Sequence, residues 1–292
     1  MHPYIFTLEI PWLNFTLQPR FYGLFYAISI LIGYKIVLSE ALRRHLPLDE
    51  DEVMNCTLLI FLGGLFGGRM YEVIFEWSNH YAYLPWWEVF AIWHGGLAIH
   101  GGILGGILSL YWYCQIKRLR FMEMLDIGAL CIILGQAIGR WGNFTNGEAG
   151  GPVTDFWTGI VFPPNSVIGR YAQGQAVHPT MLYESLGNFI IFFLLWRLRL
   201  KNFRPGMLAA IYLVSYSLLR SSLTSLRTDN QYFELFDTTI LAAYAISVVL
   251  TIGSGWLIFS KKLWLPDEPP QVAPIQSANV PKKKKSHKRK KS

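Results

Sequence analysis

Long apolar runs dominate the chain, each about the length needed to cross a hydrocarbon layer, and short polar connections separate them. A spanning helix needs about 20 mostly apolar residues. Seven segments meet that requirement: 22–40, 55–75, 97–115, 124–142, 180–197, 206–226 and 237–259. The third and sixth carry the most polar residues. Basic residues alternate between the connections. Arg43 and Arg44 follow the first segment, Lys117, Arg118 and Arg120 the third, and Arg197, Arg199, Lys201 and Arg204 the fifth; Lys261 and Lys262 follow the seventh. The intervening connections hold none, Arg170 and Arg227. Cytoplasmic loops carry the Lys/Arg excess, so this alternation predicts an all-α integral membrane protein of seven transmembrane helices, N-terminus outside and C-terminus cytoplasmic.

Two stretches interrupt the pattern. Residues 143–179 are rich in Gly, Pro, Asn and aromatic residues, and a connection of that length is usually functional; a small extracytoplasmic head is expected there. Residues 266–292 form a Pro-rich linker and a lysine-rich tail, leaving 1–265 as the membrane domain with its head. No internal repeat of the transporter type is visible, and the first residues lack the basic-then-apolar order of a cleavable signal peptide.

Composition agrees with a lipid environment. Only 15% of residues are charged, against roughly 25% in soluble domains, and the mean hydropathy is +0.29. The net charge of +7 sits in the runs Lys282–Lys285 and Lys288–Lys291. No aromatic residues interleave with those lysines, which argues against nucleic acid and for a solvated tail drawn to anionic lipid. Cys56, Cys114 and Cys131 lie in or beside apolar segments without metal-ligand spacing and read as small core residues. The glycine sets 63, 64, 67, 68 and 101, 102, 105, 106 recur at four-residue spacing, which brings helix backbones together.

Candidate chemistry concentrates at one end. Gly139-Arg140-Trp141-Gly142-Asn143-Phe144-Thr145-Asn146-Gly147-Glu148 closes the fourth segment. Ionisable groups at membrane depth need partners and mark sites more often than not. The predicted topology brings Tyr22, Arg69, His100, Arg140 and Arg220 to the outer leaflet. Tyr212, Tyr216, Arg220 and Thr224, four apart, form one stripe of the sixth helix. Arginines gathered there require an anion, for which a phosphate is the natural fork-shaped partner; Glu72 or Glu148 as internal counter-charges are the structural alternative. His100 has two readings, a packing histidine or a general base. No HExxH, G-x-S-x-G or paired-carboxylate element is present, which disfavours metal hydrolysis and a serine triad; no metal and no cofactor is expected.

With these residues in view, the chain closely resembles the prolipoprotein diacylglyceryl transferases of the bacterial inner membrane. The 140–148 run matches that family's signature. Ile99-His100-Gly101-Gly102, His178 through Glu184, and Tyr216 through Arg220 match further segments in order. The resemblance implies a reaction: the sn-1,2-diacylglyceryl group of phosphatidylglycerol passes to the lipobox cysteine thiol of a preprolipoprotein, and glycerol phosphate leaves. It also implies roles. Arg140 and Arg220 would hold the phosphate, with Arg69 added from the topology; Asn143, Asn146, Glu148 and Gly151 would shape the head-group site; Tyr22 and Tyr216 would line it; His100 matches the essential histidine. The site would face the periplasm. Three positions depart from the family pattern: Thr224 where many members have Glu, Arg20 where some have His, and His94 where an acidic residue is common. An anion transporter or channel, or a seven-span receptor, are the competing readings.

Overall fold

Helix α4 (Phe121–Asn146) is the axis of the molecule. It is the most buried of the long helices, and α1 (Phe21–Arg43), α3 (Ile99–Lys117), α6 (Thr180–Leu198) and α7 (Met207–Thr224) pack around it. Helix α2 (Glu50–Phe75) packs chiefly on α3, and α8 (Ala242–Lys261) on α7. The computed structural model describes residues 4–267, apart from 11, 13–14, 229–231 and 236–237. The lysine-rich tail and nearly all of the expected linker, 268–292, lie outside the described residues.

Among the described residues six helices, α1, α2, α4, α6, α7 and α8, are long and apolar enough to cross a membrane. The helix built from the third predicted segment, α3, is not among them: glycines and polar residues dilute its 19 residues. The seventh segment also differs from expectation. Its first residues enter a hairpin, β5 (Tyr232–Leu235) against β6 (Thr238–Leu241), and the helix begins only at Ala242. Thr238, Thr239 and Ile240 are β-branched and favour the strand.

One cluster of buried apolar side chains joins α1, α4, α6 and α7 through Ile36, Leu130, Ile133, Leu195 and Leu208. A second joins α2, α3 and α4 through Cys56, Leu110, Cys114 and Ile127. Large apolar side chains such as Leu62, Phe66, Ile190 and Phe193 point outward, away from both clusters. Lipid-facing helices carry such residues because every backbone polar group is already satisfied within the helix.

The glycines of α2 and α3 are in backbone contact. A methyl group on Gly67 would overlap the carbonyl oxygen of Gly101, one on Gly101 that of Gly67, and one on Gly105 that of Gly63. Gly64, Gly68, Gly102 and Gly106 sit at looser separations, so only one member of each adjacent pair is at the seam.

Between α4 and α6 lies a small folded unit. A two-stranded antiparallel sheet, β3 (Ile160–Val161) with β4 (Ala176–Val177), flanks the short helix α5 (Val167–Ala172). Phe162, Ile168, Ala172 and Val177 pack with Met181 of α6 as its core. A further short hairpin, β1 (Leu8–Ile10) with β2 (Phe15–Leu17), precedes α1.

Candidate active site

The local chemistry at the end of α4 sets the site. The polar residues Asn143, Thr145 and Asn146 do not end the helix; it runs through them to Gly147, whose φ of 63° gives a left-handed cap. Glycine takes that conformation at no steric cost. A side chain at Gly147 would also collide with Ser166, which caps α5 by accepting from Gly169 N. Because the helix continues, Arg140 and Asn143 stand three apart on one face. Arg140 Nη1 donates to Asn143 Oδ1 at 3.2 Å, and Asn143 Nδ2 donates to Glu148 Oε1 at 2.9 Å.

The carboxylate that organises this end is Glu184, in the first half of α6 and only 1% exposed. It accepts from Arg140 Nη2 at 2.5 Å on one oxygen and from Arg227 Nη1 at 2.9 Å on the other. Arg220 on α7 lies within charge–charge range of Arg227, Glu184, Tyr216 and Arg140. Its Nη1 is buried without a hydrogen-bond partner among the described residues. Leaving a buried donor unsatisfied costs about 1–3 kcal/mol. Three guanidinium groups, Arg140, Arg220 and Arg227, face two carboxylates, Glu184 and Glu148.

The tyrosines expected to line the site are beside it. Tyr22 packs on the backbone of Gly142, where a methyl group would come within 2.5 Å of the ring, and it lies within charge range of Arg140 and Glu148. Tyr216 stacks on Tyr212 with ring centroids 5.9 Å apart and lies within charge range of Glu184 and the three arginines. Gly151 donates its N–H to His178 O at 2.9 Å, and a side chain there would meet Leu226 O and Thr180. Thr180 Oγ1 donates to Ala149 O at 2.9 Å, fastening the same turn to α6. Asn146 keeps a buried Oδ1 without a partner among the described residues. Thr224 carries no charge; its hydroxyl donates to Arg220 O at 2.6 Å.

The described contacts of two expected members are made with other residues. Arg69 is 3% exposed, and four hydrogen bonds tie its guanidinium to backbone carbonyls. Nε donates to Val89 O at 2.9 Å, Nη1 to Gly95 O at 2.6 Å and Gly96 O at 3.1 Å, and Nη2 to Glu88 O. It also lies over the Tyr81 ring at 5.0 Å. Its geometry is therefore that of a loop organiser for residues 85–96, with each of its three nitrogens engaged by a backbone carbonyl. His100 is in the first turn of α3, exposed, with its ring 6.1 Å from that of Tyr71 and no hydrogen bond among the described residues. Conversely, sequence reasoning did not single out Glu184 or Arg227. The available signal was the lone acidic residue in the apolar run 180–197 and the lone basic residue between the last two segments.

These features define a helical membrane protein with a buried, cation-rich polar cluster where α4, α6 and α7 meet near one end of the bundle. Residues 11–260 match the family model for prolipoprotein diacylglyceryl transferase. The chain is 38% identical to the phosphatidylglycerol–prolipoprotein diacylglyceryl transferase of Halalkalibacterium halodurans, with 80% of this chain and 79% of that protein covered. It is 38% identical to the protein of the same name from Gloeobacter violaceus, covering 82% and 88%, and to that from Staphylococcus haemolyticus, covering 89% and 90%. The chain belongs to the prolipoprotein diacylglyceryl transferase family.

Proposed function

We propose that the chain transfers the sn-1,2-diacylglyceryl group of phosphatidylglycerol to the lipobox cysteine of preprolipoproteins, with Arg140 and Arg220 holding the donor's phosphate. The cysteine sulfur attacks the sn-3 carbon, a C–S bond forms, the C–O bond to phosphate breaks, and glycerol phosphate leaves with the electron pair. A free thiol has a pKa near 8.5 and must lose its proton to react. His100 is the proposed base; neither of its ring nitrogens has a hydrogen-bond partner among the described residues. Asn143, Asn146, Glu148 and Gly151 shape the head-group pocket, and Tyr22 and Tyr216 wall it. Cationic donors aimed at the leaving phosphate are the main electrostatic device. In this reading seven helices span the bacterial inner membrane, the N-terminus is outside, and the reacting groups face the periplasm.

The observation that carries the reading is the buried Nη1 of Arg220, unpartnered beside the Arg140–Glu184–Arg227 network. It is a donor awaiting an anionic oxygen. The test is direct. Incubated with phosphatidylglycerol and a lipobox peptide, the purified protein should yield a peptide heavier by one diacylglyceryl group, over many turnovers. A peptide with serine in place of the cysteine should stay unmodified. Binding of both substrates without any mass increase would refute the assignment. None of the relatives above is named as a transporter or channel.

A further inference from the structure

A second charged cluster lies at the other end of the bundle, independent of the transfer reaction. Arg43 and Arg44 end α1, Arg120 precedes α4, Arg199 caps α6 and Lys201 follows it. These five cations line a cavity of about 160 Å³. Glu40 is the wholly buried carboxylate behind it. It accepts from Arg43 Nη2 at 2.5 Å, Arg44 Nε at 3.1 Å and Arg199 Nη1 at 2.7 Å. Glu123 accepts from Arg120 Nε at 3.0 Å, and Asp267 accepts from Arg120 Nη1 at 2.7 Å. The fourth carboxylate, Asp126, is held by backbone: its two oxygens each accept at 2.9 Å, from Gly206 N and Ala209 N at the start of α7.

Two donors remain. Lys201 has no ion pair among the described residues; its ammonium lies 6.0 Å from the Phe203 ring. Arg199 Nε is buried without a hydrogen-bond partner among the described residues, while the guanidinium lies over Trp196. Among the described residues five cations face four carboxylates, an excess of one positive charge. Arg44 and Arg199 are largely withdrawn from solvent, Arg43, Arg120 and Lys201 stand more exposed at the edge of the cavity, and a buried acid lies behind them. Basic pockets between helices at the head-group level of a membrane bind anionic head groups.

We propose that this cavity binds one phosphate group carrying a single negative charge, as in the phosphodiester of an anionic phospholipid in the adjacent leaflet or a free phosphate ion. The space admits a phosphate and its first neighbours but no acyl chain. It is therefore a head-group site, separate from the donor site at the other end.

Native mass spectrometry of the full chain in zwitterionic detergent tests this with dioctanoyl phosphatidylglycerol as the probe. Wild type, Arg220→Gln and the double variant Arg43→Gln/Lys201→Gln are compared. Wild type and Arg220→Gln should both retain a phosphatidylglycerol that the double variant binds about tenfold more weakly, as expected when charge-assisted donors are removed. Dioctanoyl phosphatidylcholine should not occupy the site. Displacement of the lipid by millimolar inorganic phosphate identifies the free ion as the ligand; retention identifies the head group. Lys201→Gln alone breaks no ion pair and gives the same readout should the double variant fail to fold. Folded cavity variants that transfer at the wild-type rate and bind phosphatidylglycerol with unchanged number and affinity overturn the proposal.

Discussion

Replacing Arg220 and Arg140 separately by glutamine separates what the arginines do for the fold from what they do for turnover. Arg220 Nη1 has no partner among the described residues, and two like charges, Arg227 and Arg140, are nearby. Removing its charge relieves repulsion and an unsatisfied donor that costs about 1–3 kcal/mol, so Arg220→Gln should unfold at the wild-type temperature or above it. Arg140 is different. Its side chain is 21% exposed and pairs with the buried Glu184 at 2.5 Å. Breaking a buried pair costs about 3–5 kcal/mol, but Arg227 still holds the other Glu184 oxygen at 2.9 Å, so Arg140→Gln should lose about 1–3 kcal/mol. Both should lose transfer activity by about a hundredfold to a thousandfold, the usual cost of deleting one transition-state donor. Thermal unfolding in detergent and mass spectrometry of the lipidated peptide measure the two quantities on the same samples. An Arg220→Gln protein that melts well below wild type, or one that transfers at the wild-type rate, would refute the reasoning.

Other perturbations probe the frame. Gly67→Val or Gly101→Val drives a side chain into a facing carbonyl and should cost at least about 1–3 kcal/mol, read as lost monodisperse protein and earlier denaturation; wild-type behaviour would mean that the α2–α3 seam is looser than described. Arg69→Lys replaces a fork reaching four carbonyls by a point donor and should destabilise by about 2–3 kcal/mol, with faster proteolysis between residues 85 and 96. Asp126→Asn removes one of the two acceptors at the start of α7 and should cost about 1 kcal/mol, visible as a lower melting temperature without loss of phosphatidylglycerol turnover per folded molecule.

The long helices were legible because apolar length is a one-dimensional signal. Their ends were less so. Asn143 and Asn146 read as loop residues, yet Gly147 supplies the cap that lets α4 carry them, and β5–β6 takes residues assigned to the last helix. The arginines show a sharper limit. Basic-residue alternation gives depth in the bilayer but not direction around a helix. Arg69 and Arg140 were expected at the same depth, yet one turns to the 85–96 loop and the other to α6. Glu184 stayed hidden for the same reason: it meets Arg140 across 44 positions of sequence, through a helix pairing that no local pattern encodes.

A single acid shared by two forks makes capture of a substrate phosphate a competition. In the proposed reading the incoming oxygens and Glu184 seek the same edge of Arg140, so affinity at that arginine reflects the difference between two attractions and not their sum. Such a clasp grips its guest lightly. In the proposed reaction glycerol phosphate, once severed, meets an internal rival ready to reclaim Arg140, and the seat is vacated for the next lipid.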